Sequence, residues 1–204
     1  MKRRSILSRQ DYYDYALRLL FGDEDDLLPA AVRRAYLDIA RSLRGLSKVP
    51  DHTQLVADAD RYLVQRLRDI ASGYVVIDGP ERFDQWHRST CQRIDELFTL
   101  GGYSGATIGH LQRWINGALV YVHLVGDQRL PGYDALYPWC HAPLDTALIE
   151  HLEPLGMPSV PSWARMDDYD AYLERQVWIR HHLVFSPLDV AFFLTMGREP
   201  ALPD

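Results

Sequence analysis

The chain is expected to be all-α, a compact bilobed helical bundle, and three observations predict this. Apolar residues recur at helical spacing through most of the 204 residues, as in Val32, Ala35, Tyr36, Ile39 and Leu43. Most of these runs open on a proline or a capping residue and close on glycine. Only one short segment, Tyr74-Val75-Val76-Ile77, looks strand-like, and it has no partner run, which makes it an extended linker.

The elements follow in order. A first helix spans about 9–21, with Tyr12, Tyr15, Ala16, Leu19 and Leu20 on one stripe, and the Gly22 to Asp26 cluster ends it. Pro29 fits the first turn of a second helix that runs to Gly45. Asp51 and Gln54 have the spacing of a capping box for a third helix, whose stripe is Leu55, Ala59, Leu63, Leu67 and Ile70. Pro80 opens a fourth through Phe83, Trp86, Ile94 and Phe98. Gly101-Gly102-Tyr103-Ser104-Gly105 is the strongest break in the chain. A long apolar helix over about 107–125 follows, then an irregular loop over about 126–142. Helices at about 144–154, 168–183 and 187–196 complete the series, the last capped by Ser186-Pro187. There is no repeat, and the whole chain reads as one domain. The stretch from Pro154 to Pro161 is the best linker candidate.

Composition narrows the function. A net charge of −6 disfavours a protein that coats nucleic acid, because such binding relies on phosphate neutralisation. The charge is uneven, though: residues 1–50 hold 10 Lys/Arg against 7 Asp/Glu, and residues 151–204 hold 4 against 8. A basic end leaves room for a local phosphate-binding face, and Arg3, Arg4, Arg33, Arg34, Arg41, Arg44 and Lys48 are its candidates. Two cysteines, Cys91 and Cys140, are too few for a disulfide framework or a zinc knuckle. No apolar run is long enough to span a bilayer and no signal-peptide core follows the basic start, so a cytoplasmic location without membrane contact is expected. His181, His182 and Asp189 have the composition of a metal site but not its spacing, and no metal or cofactor is expected.

The most informative segment is Trp139-Cys140-His141-Ala142-Pro143-Leu144-Asp145-Thr146, which sets one carboxylate at the start of a helix. That position suits an acid held in a concave site, and it equally suits a helix cap. The Gly-rich turn at 101–105, entering the next helix, can offer backbone amides to a phosphate or can simply join two helices.

A glycine-rich turn, a helix, and then Pro143-Leu144-Asp145-Thr146 opening another helix together resemble the helix-hairpin-helix DNA glycosylase superfamily over about residues 98–150. Arg113 precedes Asp145 by 32 positions, a spacing similar to that of the archaeal oxoguanine glycosylase branch, whose Gln-Lys pair would correspond to Gln112-Arg113. The resemblance implies cleavage of the glycosidic bond of a flipped base in DNA, with Asp145 as the essential carboxylate. Arg113 would stand beside it at the cleft. It further implies a base pocket drawn from Gln112, Trp114, Tyr137, Trp139 and His141, and a DNA phosphate held near Gly102, Ser104 and Gly105. The hairpin departs from the family's Leu-Pro-Gly-Val-Gly pattern, and arginine replaces the lysine. A guanidinium does not act as a Schiff-base nucleophile, so a monofunctional enzyme is implied. A damaged base, or a bulky modified base such as those of phage DNA, is the expected substrate. The alternative is a helical interaction module without chemistry.

Overall fold

A computed structural model describes residues 6–198 except Glu24 and Pro161. Among them the chain forms eight α-helices: α1 (Arg9–Phe21), α2 (Leu27–Ile39), α3 (His52–Ala71), α4 (Pro80–Leu100), α5 (Ile108–Val125), α6 (Thr146–Leu152), α7 (Tyr169–His182) and α8 (Pro187–Thr195). Short 3-10 turns lie at Leu46–Lys48, Asp134–Trp139, Glu153–Leu155 and Trp163–Arg165, and there is no strand among the described residues. The fold is all-α, as the apolar spacing predicts.

The helix starts show why the boundaries fall where they do. Ser8 and Asp11 cap α1 reciprocally, with the Asp11 amide donating to Ser8 Oγ at 3.2 Å and the Ser8 amide donating to Asp11 Oδ2 at 2.6 Å. Asp26 caps α2 through the Leu28 amide, so the helix begins two residues before Pro29. It also ends at Ile39, short of the expected Gly45; the chain leaves in tight turns that still bury Leu43 and Leu46. The capping box expected at Asp51 and Gln54 does not form. Asp51 sits at φ 53°, in the left-handed region, and makes no side-chain cap bond, while Gln54 Nε2 donates forward to Asp58 at 2.7 Å. The expected linker near Pro154–Pro161 is packed instead. Met157 and Val160 are buried, and the Val160 amide donates to Glu153 Oε1 at 2.6 Å; Pro161 lies outside the described residues.

The centre of the fold is α5, which is apolar on nearly every side and accordingly buried among its neighbours. It runs against α2, where Gly117 allows close approach: a Cβ there would meet Ala35 Cβ at 3.3 Å. Its first turn lies under the Trp163–Arg165 turn. The Gly109 amide donates to the Met166 carbonyl at 2.8 Å, and a Cβ on Gly109 would fall 1.7 Å from the Trp163 carbonyl oxygen. One contiguous core extends from Leu17 in α1 to Val190 in α8. No helix among the described residues is long and apolar enough to cross a membrane.

Candidate functional site

Asp145 owes its position to the strap before it. Residues 140–144 leave the Asp134–Trp139 turn without helical structure and cross the N-terminal half of α5 and the middle of α7, where two buried glutamines hold them. Gln112 of α5 grips Leu144 from both sides: its Nε2 donates to the Leu144 carbonyl at 2.8 Å, and its Oε1 accepts from the Leu144 amide at 3.1 Å. Gln176 of α7 does the same for Ala142, donating at 2.8 Å and accepting at 2.9 Å. Each side chain stands in for a neighbouring strand, satisfying backbone groups that are fully buried.

His141 anchors the strap at a third point. It is wholly buried, with Nε2 at 2.7 Å from Asp84 Oδ1 and Nδ1 at 2.7 Å from the Tyr172 hydroxyl. Asp84 also accepts Arg180 Nη2 on both oxygens at 2.9 Å. The partners define the tautomer: Nε2–H donates to Asp84, and Nδ1 accepts from Tyr172, whose oxygen accepts in turn from Asn116 Nδ2 at 2.8 Å. Burial outweighs the nearby Asp84 carboxylate and pushes the His141 pKa down to about 4, which keeps the ring neutral. Burial also opposes ionisation of Asp84, but its bonds to His141 and Arg180 win and hold its carboxyl below the usual range.

The strap thus delivers Asp145 to the N-cap of α6, where Oδ1 accepts from the Leu148 amide at 2.9 Å and Oδ2 lies 3.2 Å from Arg113 Nη2. Both side chains are partly exposed, at 32% for Asp145 and 23% for Arg113, and both line a cleft of about 490 Å³. Val120 and Leu124 of α5, Phe192 and Leu194 of α8, and Met196 just after it supply its apolar walls. A second carboxylate, Asp38, also lines the cleft, accepting from the Tyr121 hydroxyl at 2.6 Å and pairing with Arg34 at 3.2 Å. The cleft therefore combines a long apolar surface with two carboxylates, each already engaged by a guanidinium.

Of the residues expected at the site, the structure brings Asp145 and Arg113 together and disperses the rest. Gln112, Trp114 and His141 are fully buried and belong to the interior. Trp114 Nε1 donates to the Val32 carbonyl at 3.0 Å and its ring meets Tyr36 and Phe98, so it is core. Tyr137 is half-buried and donates to Asp189 Oδ1 at 2.6 Å, and Trp139 is half-buried against the core; neither lines the cleft. Gly102 sits at φ 87° and ends α4. Its amide donates to Thr99 at 3.0 Å while that of Tyr103 returns to Phe98 at 2.8 Å, so these donors are spent on the helix C-terminus. Ser104 and Gly105 are exposed. Asp38, Tyr121 and the α8 residues were not anticipated, because only the packing of α2 on α5 and of α8 on α6 brings them to the cleft that Asp145 lines.

The cysteine and histidine clusters take no part. Cys140 is buried, its thiol donating to the Leu136 carbonyl, and burial pushes its pKa far up. His182 stacks on Trp178 at 4.6 Å, and no group of three His, Cys, Asp or Glu among the described residues is arranged to hold a metal ion. Comparison with known proteins gives no matching family model, no matching curated protein and no matching solved structure.

Proposed function

We propose that the protein is a monofunctional DNA glycosylase that hydrolyses the N-glycosidic bond of a flipped modified or damaged base at the Asp145 cleft, acting in the cytoplasm. The observation that carries this reading is the carboxylate of Asp145, held by a clamped strap and Arg113 on the wall of a cleft within the roughly 300–1,000 Å³ range of small-ligand sites. Hydrolysis of this bond passes through a cation-like sugar. A fixed carboxylate beside C1′ stabilises that charge and orients water, whose oxygen bonds to C1′ as the C1′–N bond breaks. The departing base carries away the bonding electron pair, and the proton from the attacking water goes to Asp145 or to the base. Arg113 positions the carboxylate and is not the nucleophile. The cleft's apolar walls, including Phe192, suit the face of a base taken out of its stack.

The test uses oligonucleotides carrying a panel of modified bases, scored for alkali-labile sites. Asp145→Asn should lower cleavage by at least 100-fold while leaving the melting temperature close to wild type, because asparagine also caps helices. Full activity in that variant, or no abasic product from any substrate, sinks the assignment.

A second reading, a helical interaction module without chemistry, is favoured by the interior placement of Gln112, Trp114 and His141 and by the row Tyr12, Tyr15 and Leu19, which are 54%, 61% and 71% exposed on α1. DNA affinity against salt separates the two. A glycosylase loses affinity steeply as salt rises, whereas an acidic module ignores DNA even at low salt.

A further inference from the structure

We propose that a second groove, between α2 and α3, binds a small amphipathic phosphate ester of the mononucleotide class. This groove is about 540 Å³, comparable to the Asp145 cleft, and it shares no lining residue with it. Arg33 and Arg34 line it from α2, Arg61 and Arg68 from α3, and a single carboxylate, Asp60, accompanies them. Four arginines line one concavity of an acidic chain, and the carboxylates that balance them do so through exposed pairs that an arriving anion can replace.

Each arginine rests on a carboxylate. Arg33 pairs with Asp60 at 3.2 Å, Arg34 with Asp38 at 3.2 Å, Arg68 with Asp26 at 2.7 Å, and Arg61 with Asp58. Three of those four acids, Asp26, Asp38 and Asp58, stand outside the lining of the groove. The arginines are 40–70% exposed, where ion pairs contribute little, so an arriving phosphate exchanges partners at small cost. The planar fork of arginine matches phosphate oxygens two at a time.

The remaining lining fits the rest of such a ligand. Leu20, Phe21, Pro29, Ala30, Leu37 and Val64 give an apolar surface for a base. Asp60 Oδ1 is buried with no hydrogen-bond partner, an acceptor that a donating sugar hydroxyl would satisfy. Of the stripe expected from the sequence, Arg33 and Arg34 line this groove with Arg61 and Arg68 of α3. Arg41, Arg44 and Lys48 do not line it, and Arg3 and Arg4 lie outside the described residues.

Calorimetric titration at low salt with deoxyadenosine monophosphate, deoxyadenosine and inorganic phosphate tests the proposal. The nucleotide should bind at least tenfold more tightly than either fragment. Arg68→Gln should weaken it about tenfold, and Asp60→Asn should tighten it several-fold by removing the groove's one negative charge. Asp145→Asn should bind as the wild type does, which separates this site from the proposed glycosylase cleft. No nucleotide binding at millimolar concentration overturns the proposal, as does unchanged affinity in a folded Arg33→Gln/Arg68→Gln variant. Phosphate binding as tightly as the nucleotide, or binding of oligonucleotides alone, overturns it too.

Discussion

Gln112 and Gln176 do in this interior what a strand edge would do in a sheet. Each offers one acceptor and one donor in a plane, and each closes on the amide and carbonyl of one strap residue. Replacing Gln112 with methionine keeps the volume but leaves the buried Leu144 amide and carbonyl without these partners. It also removes the acceptor of a 3.1 Å bond from Asn116. At about 1–3 kcal/mol for each orphaned group, Gln112→Met should lower unfolding free energy by roughly 2–5 kcal/mol, read from urea titration. Gln176→Met should behave alike, and both should disorder the approach to Asp145 enough to reduce any activity of the cleft. Asp145 itself was legible as an acid at a helix start, and the structure gives it a cap bond and a cleft-facing edge together. The destinations of Gln112 and His141 were not legible. Their partners, Leu144 at 32 residues' distance and Asp84 at 57, are fixed only by closure of the fold.

At the scale of elements, two glycines of α5 decide how its neighbours lie against it. A methyl group at position 117 would meet another methyl group at 3.3 Å, and side chains can yield by a few tenths of an ångström. At position 109 the obstacle is the Trp163 carbonyl oxygen at 1.7 Å, part of a backbone turn that is itself bonded to α5. Gly109→Ala must therefore displace the Trp163–Arg165 turn. It should cost about 2–3 kcal/mol, whereas Gly117→Ala gains helix propensity and should stay within about 1 kcal/mol of wild type. For a chain of this size the first change corresponds to a fall of roughly 4–12 °C in Tm. Helix existence was readable from the sequence because apolar spacing and caps are local, and α1, α4 and α7 begin and end where those signals predict, within a residue or so. The failures are instructive. The run after Ile39 keeps its apolar residues, yet turns away because Leu43 and Leu46 reach the core from turns, and Asp51 loses its cap to a left-handed backbone that no side-chain pattern announces.

The molecule as a whole stores a dependence on pH in its interior. His141 and His87 are completely buried and neutral; burial lowers both, with His87 also opposed by the neighbouring His141. The native state refuses protons that the unfolded chain accepts from about pH 6.5 downward. The stability these rings contribute is therefore complete above pH 6.5 and declines as pH falls toward 4, where His141 titrates in the folded protein. For His141 alone, a drop from 6.5 to about 4 corresponds to roughly 3 kcal/mol. Asp60 works in the opposite direction. Burial raises its carboxyl to about 6 despite Arg33, so the folded state takes up a proton between about pH 6 and 4 that the unfolded chain does not yet bind. Acidification through that window hence relieves a buried charge and offsets part of the histidine loss. Denaturant unfolding at pH 7.5, 6.0 and 4.5 should show wild-type stability falling with acid. Asp60→Asn should fall more steeply over the same range, because the compensating carboxyl is gone. A variant whose pH profile runs parallel to wild type would mean that Asp60 is ionised in the native groove throughout. In that case the four arginines, rather than burial, would set its protonation.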